Sequence, residues 1–216
     1  MTAKIIVVSN QKGGCGKTTI SMNLAYFLGK LYPEMVLVID GDPQASALKW
    51  ATDADEDKPF PCPVINLSST VDKVHNEIKK HINKYKFIIV DCPPSVSSNF
   101  TASALIVAHL NLITIKPSPI DISASVPFEK LVQNIQNSIN ENLKAYFVIN
   151  ELRYGESIGK DVIEALNNFE IKPLRTQVHQ RTSYRHSALG SSVLDGKDEK
   201  AISEINRLGK EVLGLL

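Results

Sequence analysis

Short apolar runs alternate along the chain with longer segments whose apolar residues recur at helical spacing. Five of the runs are rich in valine and isoleucine and almost continuous in apolarity, which is typical of strands buried on both faces. These predicted strands span residues 4–9, 35–40, 86–91, 111–116 and 144–150. The alternation predicts an α/β fold of three layers, in which helices flank a mostly parallel, twisted sheet.

The segments between the runs include two with a clear helical period. Residues 18–31 place Ile20, Leu24 and Leu28 on one face of a predicted helix, and residues 71–85 repeat this pattern. The acidic, proline-containing stretch 51–63 predicts a surface loop. Because no repeat or linker divides the sequence, we predict one domain over residues 1–216.

The composition limits which kinds of partner the protein could bind and in which cellular compartment we expect it. The formal net charge is +1, so any site for nucleic acid must be a local basic cluster. The three cysteines have no paired spacing, which argues against a disulfide framework and against zinc or iron–sulfur sites. The longest apolar region, 102–115, is interrupted by polar residues and is too short to span a bilayer. We therefore expect a soluble protein of the reducing cytoplasm.

A glycine-rich stretch, KGGCGKTT, lies between the first predicted strand and the helix that follows. Glycines let successive N–H groups turn toward phosphate oxygens, and the helix N-terminus adds partial positive charge. Lys17 is expected to neutralise the β- and γ-phosphates, and the Thr18 hydroxyl to bind Mg²⁺. The predicted nucleotide-binding loop consists of Lys12, Gly13, Gly14, Cys15, Gly16, Lys17, Thr18 and Thr19.

Aspartates end two further strands at the edge that carries this loop. A carboxylate at the end of an apolar strand is costly unless it is paired or bound to metal. We expect Asp91 to hold a Mg²⁺-bound water, Asp40 to orient the metal shell and Asp42 to address the attacking water. For Asp42 the alternative is a structural role as the N-cap of a following helix, and one residue could do both.

These motifs lead to a family resemblance. The stretches KGGCGKTT, DGDPQ and VDCPPS, in this order, resemble the ParA/MinD group of ATPases, whose phosphate loop is a deviant Walker A motif. The stretch KPSPIDISA at 116–124 and the short chain are most similar to small plasmid-partition ATPases of the ParA type, such as ParF. The resemblance implies a weak, Mg²⁺-dependent ATPase that is stimulated by a partner protein and forms a homodimer with ATP.

The resemblance also gives Lys12 a role as the signature lysine, which in the ATP-bound dimer contacts the nucleotide of the other subunit. An independent physical reason agrees, because two nucleotides placed face to face concentrate negative charge that a cation from each partner relieves. Lys12, Lys17 and Asp42 are therefore the predicted catalytic residues. The sequence leaves open whether Lys12 reaches across the interface or folds back. Residues 117–131 are expected to line the dimer face, with Asp121 as a helix cap.

The base of the nucleotide is expected to be adenine. GTP-binding relatives use N-K-x-D, and the nearest approximation here, NKYK at 83–86, lacks the aspartate. Asn150, at the end of a predicted strand, resembles a position that contacts adenine in relatives. The alternative for Asn150 is an ordinary turn asparagine.

Two clusters of basic residues are candidates for contact with DNA. The segment between Ile171 and Ser192 contains several basic residues and no acidic residue. Such a basic stretch is suited to sequence-independent contact with DNA phosphates. The alternative is a solvated face with an arginine or two bonded to the sheet. The predicted DNA-binding residues are Lys172, Arg175, Arg181 and Arg185. A second cluster, ranked lower because it fits a solvated helix face, is Lys79, Lys80, Lys84 and Lys86.

The sequence thus predicts a cytoplasmic, nucleoid-associated ATPase that dimerises with ATP and Mg²⁺ on nonspecific DNA. It would move plasmid or chromosomal DNA through a ParB-like, centromere-binding adaptor. One alternative is a MinD-like positioning ATPase whose C-terminal amphipathic helix binds membrane, but the stretch 201–216 has two acids and no Trp or Phe, so packing against the sheet is favoured. Another is a small-molecule kinase, but no arginine-rich lid precedes Ile171.

Overall fold

A seven-stranded parallel sheet forms the centre of the computed structural model, which describes residues 2–94, 99–154 and 158–216, with backbone alone for 158–160. The strand order is β3-β2-β4-β1-β5-β6-β7, and every pairing is parallel. The strands are β1 Lys4–Ser9, β2 Val36–Asp40, β3 Val64–Asn66, β4 Phe87–Asp91, β5 Leu110–Ile115, β6 Lys144–Ile149 and β7 Lys172–Pro173. The predicted fold class is confirmed.

All five predicted strands are present, within one residue at each end. The sequence pattern missed the two outermost strands, β3 and β7, which have three and two residues. Such short edge strands cannot show an apolar run long enough to be recognised. Because these two strands lie at the outer edges of the sheet, missing them does not change the predicted position of the phosphate loop at the strand ends.

Helices cover both faces of the sheet. The α-helices that the structure describes are α1 Lys17–Leu31, α2 Ser46–Thr52, α3 Val74–Lys79, α4 Asn99–Leu105, α5 Pro119–Ser138, α6 Ile158–Asn167, α7 Thr182–Ser187 and α8 Glu199–Leu215. Short 3₁₀ helices occupy Ser68–Lys73 and Val193–Asp195. Neighbouring residues of β1 face opposite cores, with Ile5 and Val7 on one side and Ile6 and Val8 on the other.

The predicted helix over 71–85 was too long. Val71 has a φ of 43°, which a β-branched side chain rarely adopts and which an α-helix cannot contain. The α-helix begins only at Val74 and ends at Lys79, and turns fill the return to β4. The prediction that Asp121 caps α5 was also wrong, because the Ser118 side chain accepts the bond from the Asp121 N–H and is the N-cap.

The C-terminal helix α8 packs its apolar face into the core. Ile205, Leu208 and Val212 are fully buried beside α1. This is the arrangement that the sequence favoured over membrane contact. Among the residues described, no helix combines the length and the apolarity that a membrane crossing requires.

Candidate functional site

The glycine loop joins the end of β1 to the start of α1. Gly14 and Gly16 have φ values of 71° and 87°, which favour glycine over residues with a Cβ. A Cβ on Gly16 would also lie 2.0 Å from the Asn150 Nδ2 atom. No side chain among the described residues caps α1, so the first N–H groups of this helix are available to phosphate oxygens.

Asn150 directly follows β6, and its side chain contacts the phosphate loop. Its Nδ2 atom donates a hydrogen bond of 3.0 Å to the carbonyl oxygen of Cys15. The Cys15 thiol is buried and donates to the Lys12 carbonyl at 3.1 Å. Asn150 therefore fixes the shape of the loop, and its proposed contact with adenine stays a prediction.

Lys17 is folded over the loop that it follows. Its Nζ atom donates to the Lys12 carbonyl at 3.0 Å and lies 3.8 Å from the Cys15 Sγ atom. The side chain is almost wholly buried, and the ammonium group is held against the loop by these contacts. A phosphate oxygen bound there would take the place of the Lys12 carbonyl as the partner of the ammonium group.

Lys12 lies on the outside of the loop and contacts its own chain. Its Nζ atom is 2.6 Å from the Asp121 Oδ1 atom, in the first turn of α5. The Lys12 side chain is 43% exposed, whereas the Asp121 side chain is 6% exposed. In the single chain, Lys12 therefore folds back, which was one of the two arrangements that the sequence left open.

Asp91 connects the end of β4 to the first turn of α1. Its two carboxylate oxygens accept hydrogen bonds from the Thr18 hydroxyl at 2.7 Å and from the Ser21 hydroxyl at 2.9 Å. Burial raises the pKa of Asp91 to about 7, although these two hydrogen bonds oppose the shift. The sequence missed Ser21, which lies three residues after Thr18 and so on the same face of α1.

Asp40 is the neighbour of Asp91 across the β2–β4 pair. Its carboxylate accepts from the Asp42 N–H at 2.9 Å and from the Leu48 N–H at 3.0 Å, which ties the following loop and α2 to the strand end. Burial raises the pKa of Asp40, although the backbone hydrogen bonds oppose the shift.

Asp42 is half-buried beside the loop, and its carboxylate accepts the Gln44 N–H at 2.9 Å in an Asx turn. The residue at the N-cap of α2 is Ala45, so the alternative of Asp42 as that N-cap was wrong. Asp40 instead satisfies the Leu48 N–H in the first turn of α2.

The loop opens into a cavity of about 530 Å³, which is lined on the loop side by Gly14 and Gly16. Lys17, Thr18 and Asp42 form part of its wall, and Lys49 and Trp50 of α2 form another part. A second cavity of about 280 Å³ adjoins it and shares Thr19 and Glu151. The remaining lining residues of the second cavity are Asn150, His179, Gln180, Arg181, Tyr184 and Arg185.

The oxygen groups at this site suit a hard divalent cation. Thr18 offers a hydroxyl, and Asp40 and Asp91 offer carboxylates at adjacent strand ends. Within the described residues there is no group of three His, Cys, Asp or Glu residues that could hold a metal ion. A cation here would therefore take further oxygens from water and from phosphate, as Mg²⁺ does in nucleotide sites.

The four predicted DNA-binding residues do not form one free basic surface. The Lys172 Nζ atom donates to the carbonyls of Asn167 and Phe169, and Arg181 donates to the buried Glu204 at 2.9 Å. Arg175 and Arg185 are exposed. Lys172 is exposed as well, so three of the four residues are at the surface and Arg181 alone of the set is mostly covered.

Acidic residues of α8 pack against this same segment. Glu204 accepts from His179, Arg181 and Tyr184, and Glu211 accepts from the backbone N–H groups of Arg175 and Thr176. Asp198, the N-cap of α8, also accepts from the Ser183 hydroxyl and lies 3.9 Å from Arg181, so the fold supplies three acids to a stretch that has none in sequence. Its positive charge is therefore smaller than the sequence indicated, while its contact with DNA stays untested.

Comparison with known proteins identifies the family. Residues 6–193 match the model of the CobQ/CobB/MinD/ParA nucleotide binding domain, and this match contains the phosphate loop, Asp40, Asp42 and Asp91. The chain belongs to this family.

The proteins that resemble this chain have names that refer to different functions. The chain is 31% identical over 211 residues to the "Maintenance of carboxysome distribution protein A" of Halothiobacillus neapolitanus, with 96% of this chain and 95% of that protein covered. A plasmid partition protein of Borrelia burgdorferi superposes with a TM-score of 0.73 at 18% identity, over 100% of both chains.

A third similarity concerns the ligands that this fold holds. Cobyrinic acid a,c-diamide synthase of Mycobacterium smegmatis, solved with an ATP analogue and magnesium, superposes with a TM-score of 0.75 at 16% identity, over 98% of this chain and 94% of that one. Solved structures of the fold thus contain an ATP analogue with Mg²⁺, in agreement with the cofactors expected from the sequence.

Proposed function

We propose that this protein is a Mg²⁺-dependent ATPase that dimerises around two bound ATP molecules. The observation that carries the proposal is the hydrogen bond between Thr18 and Asp91, beside the buried Lys17. A hydroxyl, a carboxylate and an ammonium group thus lie near one end of α1, which supports a phosphate and metal site there. The family match over residues 6–193 supports the same reading.

In the proposed mechanism, each side chain has one task. Lys17 leaves the Lys12 carbonyl and binds the β- and γ-phosphates, while Thr18 and Asp91 would hold the metal shell and Asp40 would orient it. Mg²⁺, when bound, would supply positive charge that neutralises the phosphates. Asp42 orients the attacking water from the wall of the cavity. Lys12 leaves Asp121 and contacts the nucleotide of the second protomer, where a cation can accelerate phosphoryl transfer by roughly 10³ to 10⁵.

The ATPase cycle would position a large cargo on nonspecific DNA. A relative that is 31% identical over nearly its full length is named for carboxysome distribution, and a structural neighbour is named for plasmid partition. We therefore propose a switch of the ParA type, located in the cytoplasm and associated with the nucleoid, with an adaptor protein that links it to its cargo and stimulates hydrolysis. In the partition form of this function, the cargo is plasmid or chromosomal DNA and the adaptor is ParB-like.

The carboxysome relative favours a second candidate for the cargo. The alignment with this relative covers 95% of the relative's length, so the resemblance is not confined to the phosphate loop. A protein assembly, in place of a DNA molecule, could then be the object that is distributed. In both cases the nucleotide chemistry and the DNA track are the same, and the adaptor differs.

The experiment that tests the ATPase is a comparison of three proteins in ATP binding and hydrolysis. Lys17→Ala should lose ATP binding, whereas Lys12→Ala should bind ATP and fail to hydrolyse it. Lys210→Ala, on the exposed side of α8, is the matched control and should behave as wild type. Hydrolysis by Lys12→Ala at the wild-type rate would remove the proposed role of that lysine, and tight ATP binding by Lys17→Ala would remove the proposed site.

A further inference from the structure

A cluster of lysines lies at the amino-terminal edge of the sheet, opposite the phosphate loop. We call it the amino-edge patch. Parallel strands begin at this edge and end at the loop, so a strand of five or six residues separates the two by roughly 17–20 Å. The patch consists of Lys4, Lys79, Lys80, Lys84 and Lys86.

The fold brings these lysines together from two parts of the chain. Helix α3 ends at Lys79, and the turn that follows returns the chain to the start of β4 at Phe87. Lys4 begins β1 opposite Phe87, and its N–H donates to the Lys86 carbonyl at 2.8 Å. Lys4 therefore adds a charge that the sequence pattern of residues 79–86 did not contain.

The ammonium groups of this patch are largely without carboxylate partners. Lys80 pairs with Glu77 at 2.7 Å. Within the part of the chain that the structure describes, no carboxylate is at ion-pair distance from Lys4, Lys79, Lys84 or Lys86. Of the neighbouring turns, one contributes the exposed Glu34. Five lysines thus meet two glutamates, on a protein of net charge +1.

Aromatic rings hold two of these side chains in place. The Lys86 Nζ atom lies 3.8 Å from the centre of the Tyr32 ring, and the Lys84 Nζ atom lies 5.2 Å from the centre of the Tyr85 ring. A lysine whose ammonium group already lies over a ring loses less side-chain entropy when it binds an anion. The patch is therefore partly ordered for contact before any partner arrives.

Stabilisation of helix ends does not account for the whole patch. Lys79, in the last turn of α3, lies where a cation complements the helix dipole. Lys84 and Lys86 lie in the turn after the helix, and Lys4 lies in a strand. These three charges have no such role. They lie together at one edge of the sheet, which is the arrangement expected of a surface that binds a polyanion.

We propose that the amino-edge patch contacts the phosphate backbone of DNA without regard to sequence. This inference rests on the proposed function and names the surface that serves it. It differs from the predicted site at 172–185, where Glu204 and Glu211 offset the basic residues. The phosphate loop faces the opposite direction, so a dimer closed over the nucleotides leaves both patches outward, and the two protomers can hold DNA at once.

The test is the salt dependence of DNA binding by wild type and by the double variant Lys79→Gln, Lys84→Gln, with a non-hydrolysable ATP analogue and Mg²⁺. Both lysines are exposed, so the fold is retained. The slope of log K against log salt should shrink by about 0.9 for each lost phosphate contact, thus by about 1.8 for the pair. Binding to two duplexes of unrelated sequence should weaken equally.

The matched control is Lys197→Gln, Lys210→Gln, which removes the same charge from exposed positions just before α8 and on α8 and should leave the slope unchanged. If wild type binds DNA and the patch variant binds with the same affinity and slope, the patch is not the DNA surface, while the proposed function stands. If wild type binds no DNA under these conditions, the DNA track of the proposed function fails as well. Patch-dependent binding to phosphatidylserine vesicles without DNA binding would overturn the inference in favour of a membrane surface.

Discussion

Lys12 and Asp121 form an ion pair of 2.6 Å that fastens the outside of the phosphate loop to the first turn of α5. The buried Asp121 carboxylate also accepts the Ser118 hydroxyl, and Ser118 caps the helix. In the proposed dimer the same lysine must leave this carboxylate to contact the nucleotide of the partner. The ion pair therefore opposes dimerisation, and its strength sets part of the cost of closing the dimer.

Asp121→Asn should favour the ATP-bound dimer. The substitution removes the negative charge that holds Lys12. A half-exposed ion pair is worth at most about 1 kcal/mol. Dimerisation should therefore become about fivefold tighter for each protomer in which Lys12 is freed from this ion pair. Sedimentation velocity over a concentration series with an ATP analogue would measure it. Lys12→Ala, Asp121→Asn is the control in which the gain should vanish. An unchanged dimerisation constant for Asp121→Asn would show that the ion pair does not restrain Lys12.

Trp50 offers a direct reading of nucleotide binding. It is the sole tryptophan of the sequence, is buried, and lines the cavity beside Lys17. Addition of ATP with Mg²⁺ should change its fluorescence, and Lys17→Ala should abolish the change because the phosphates lose their cation. A wild-type protein that binds labelled ATP but shows no change in Trp50 emission would place the nucleotide away from this cavity.

Asp91→Asn should remove the dependence of ATP binding on Mg²⁺. The amide retains the shape of the carboxyl group and can still bond to Thr18 and Ser21, but it cannot offer a charged oxygen to the metal shell. Isothermal titration of ATP with and without Mg²⁺ would measure the difference, which should be large in wild type and small in the variant. An equal Mg²⁺ effect in both proteins would show that Asp91 has no part in the metal site.

The pH dependence of stability without Mg²⁺ should also reflect Asp91. Burial raises its pKa from 3.8 to about 7, so the folded state favours the protonated form. The stability that this preference contributes is fully present below about pH 4 and is lost as the pH rises through about 7. Urea unfolding at a series of pH values should show this loss in wild type. The slope between pH 5 and pH 8 should be smaller in Asp91→Asn, and identical slopes would contradict the assignment.

Arg181→Ala should destabilise the fold itself. Arg181 is the partner of Glu204, whose side chain is 2% exposed, and removal of one member of a buried ion pair costs roughly 3–5 kcal/mol. Thermal unfolding of Arg181→Ala beside the exposed control Arg185→Ala would separate this structural role from a surface role. Equal melting temperatures for the two variants would contradict it. A loss of DNA binding in Arg181→Ala is informative only when the variant remains folded.

Acid should weaken the same network. Glu204 has a pKa below 4.5 in spite of its burial, because Arg181, the His179 N–H and Tyr184 bond to the charged form. A lowered pKa contributes stability above the unfolded value, and this stability is lost as the pH falls through the folded value. Unfolding measurements below pH 4.5 should show a smaller loss in Glu204→Gln than in wild type, and a loss of equal size would contradict this source of stability.

The sequence predicted the parts of the molecule that repeat a local pattern. Strands buried on both faces leave continuous apolar runs, and glycines before Lys17 mark a phosphate loop, so the sheet and the loop could be read directly. The edge strands β3 and β7 were missed because two or three residues carry no period. Val71 shortened the predicted helix, since a single residue in the left-handed region interrupts an otherwise regular pattern.

Contacts between distant segments account for what the sequence could not show. Arg181 and Glu204 are 23 residues apart, and Lys12 and Asp121 are separated by more than a hundred. No local pattern connects either pair, although both decide how much charge is free at the surface. The basic stretch at 172–185 therefore looked more positive in sequence than it is in the fold, and the amino-edge patch gained Lys4 only through strand pairing.

The most direct test of the account is the oligomeric state of the wild-type protein, saturated with a non-hydrolysable ATP analogue and Mg²⁺, by sedimentation velocity. The account predicts a dimer that dissociates when ADP replaces the analogue, and a monomer for Lys12→Ala that still holds the nucleotide. Wild-type protein that stays monomeric with bound analogue at every protein concentration, or Lys12→Ala that dimerises as well as wild type, would contradict it.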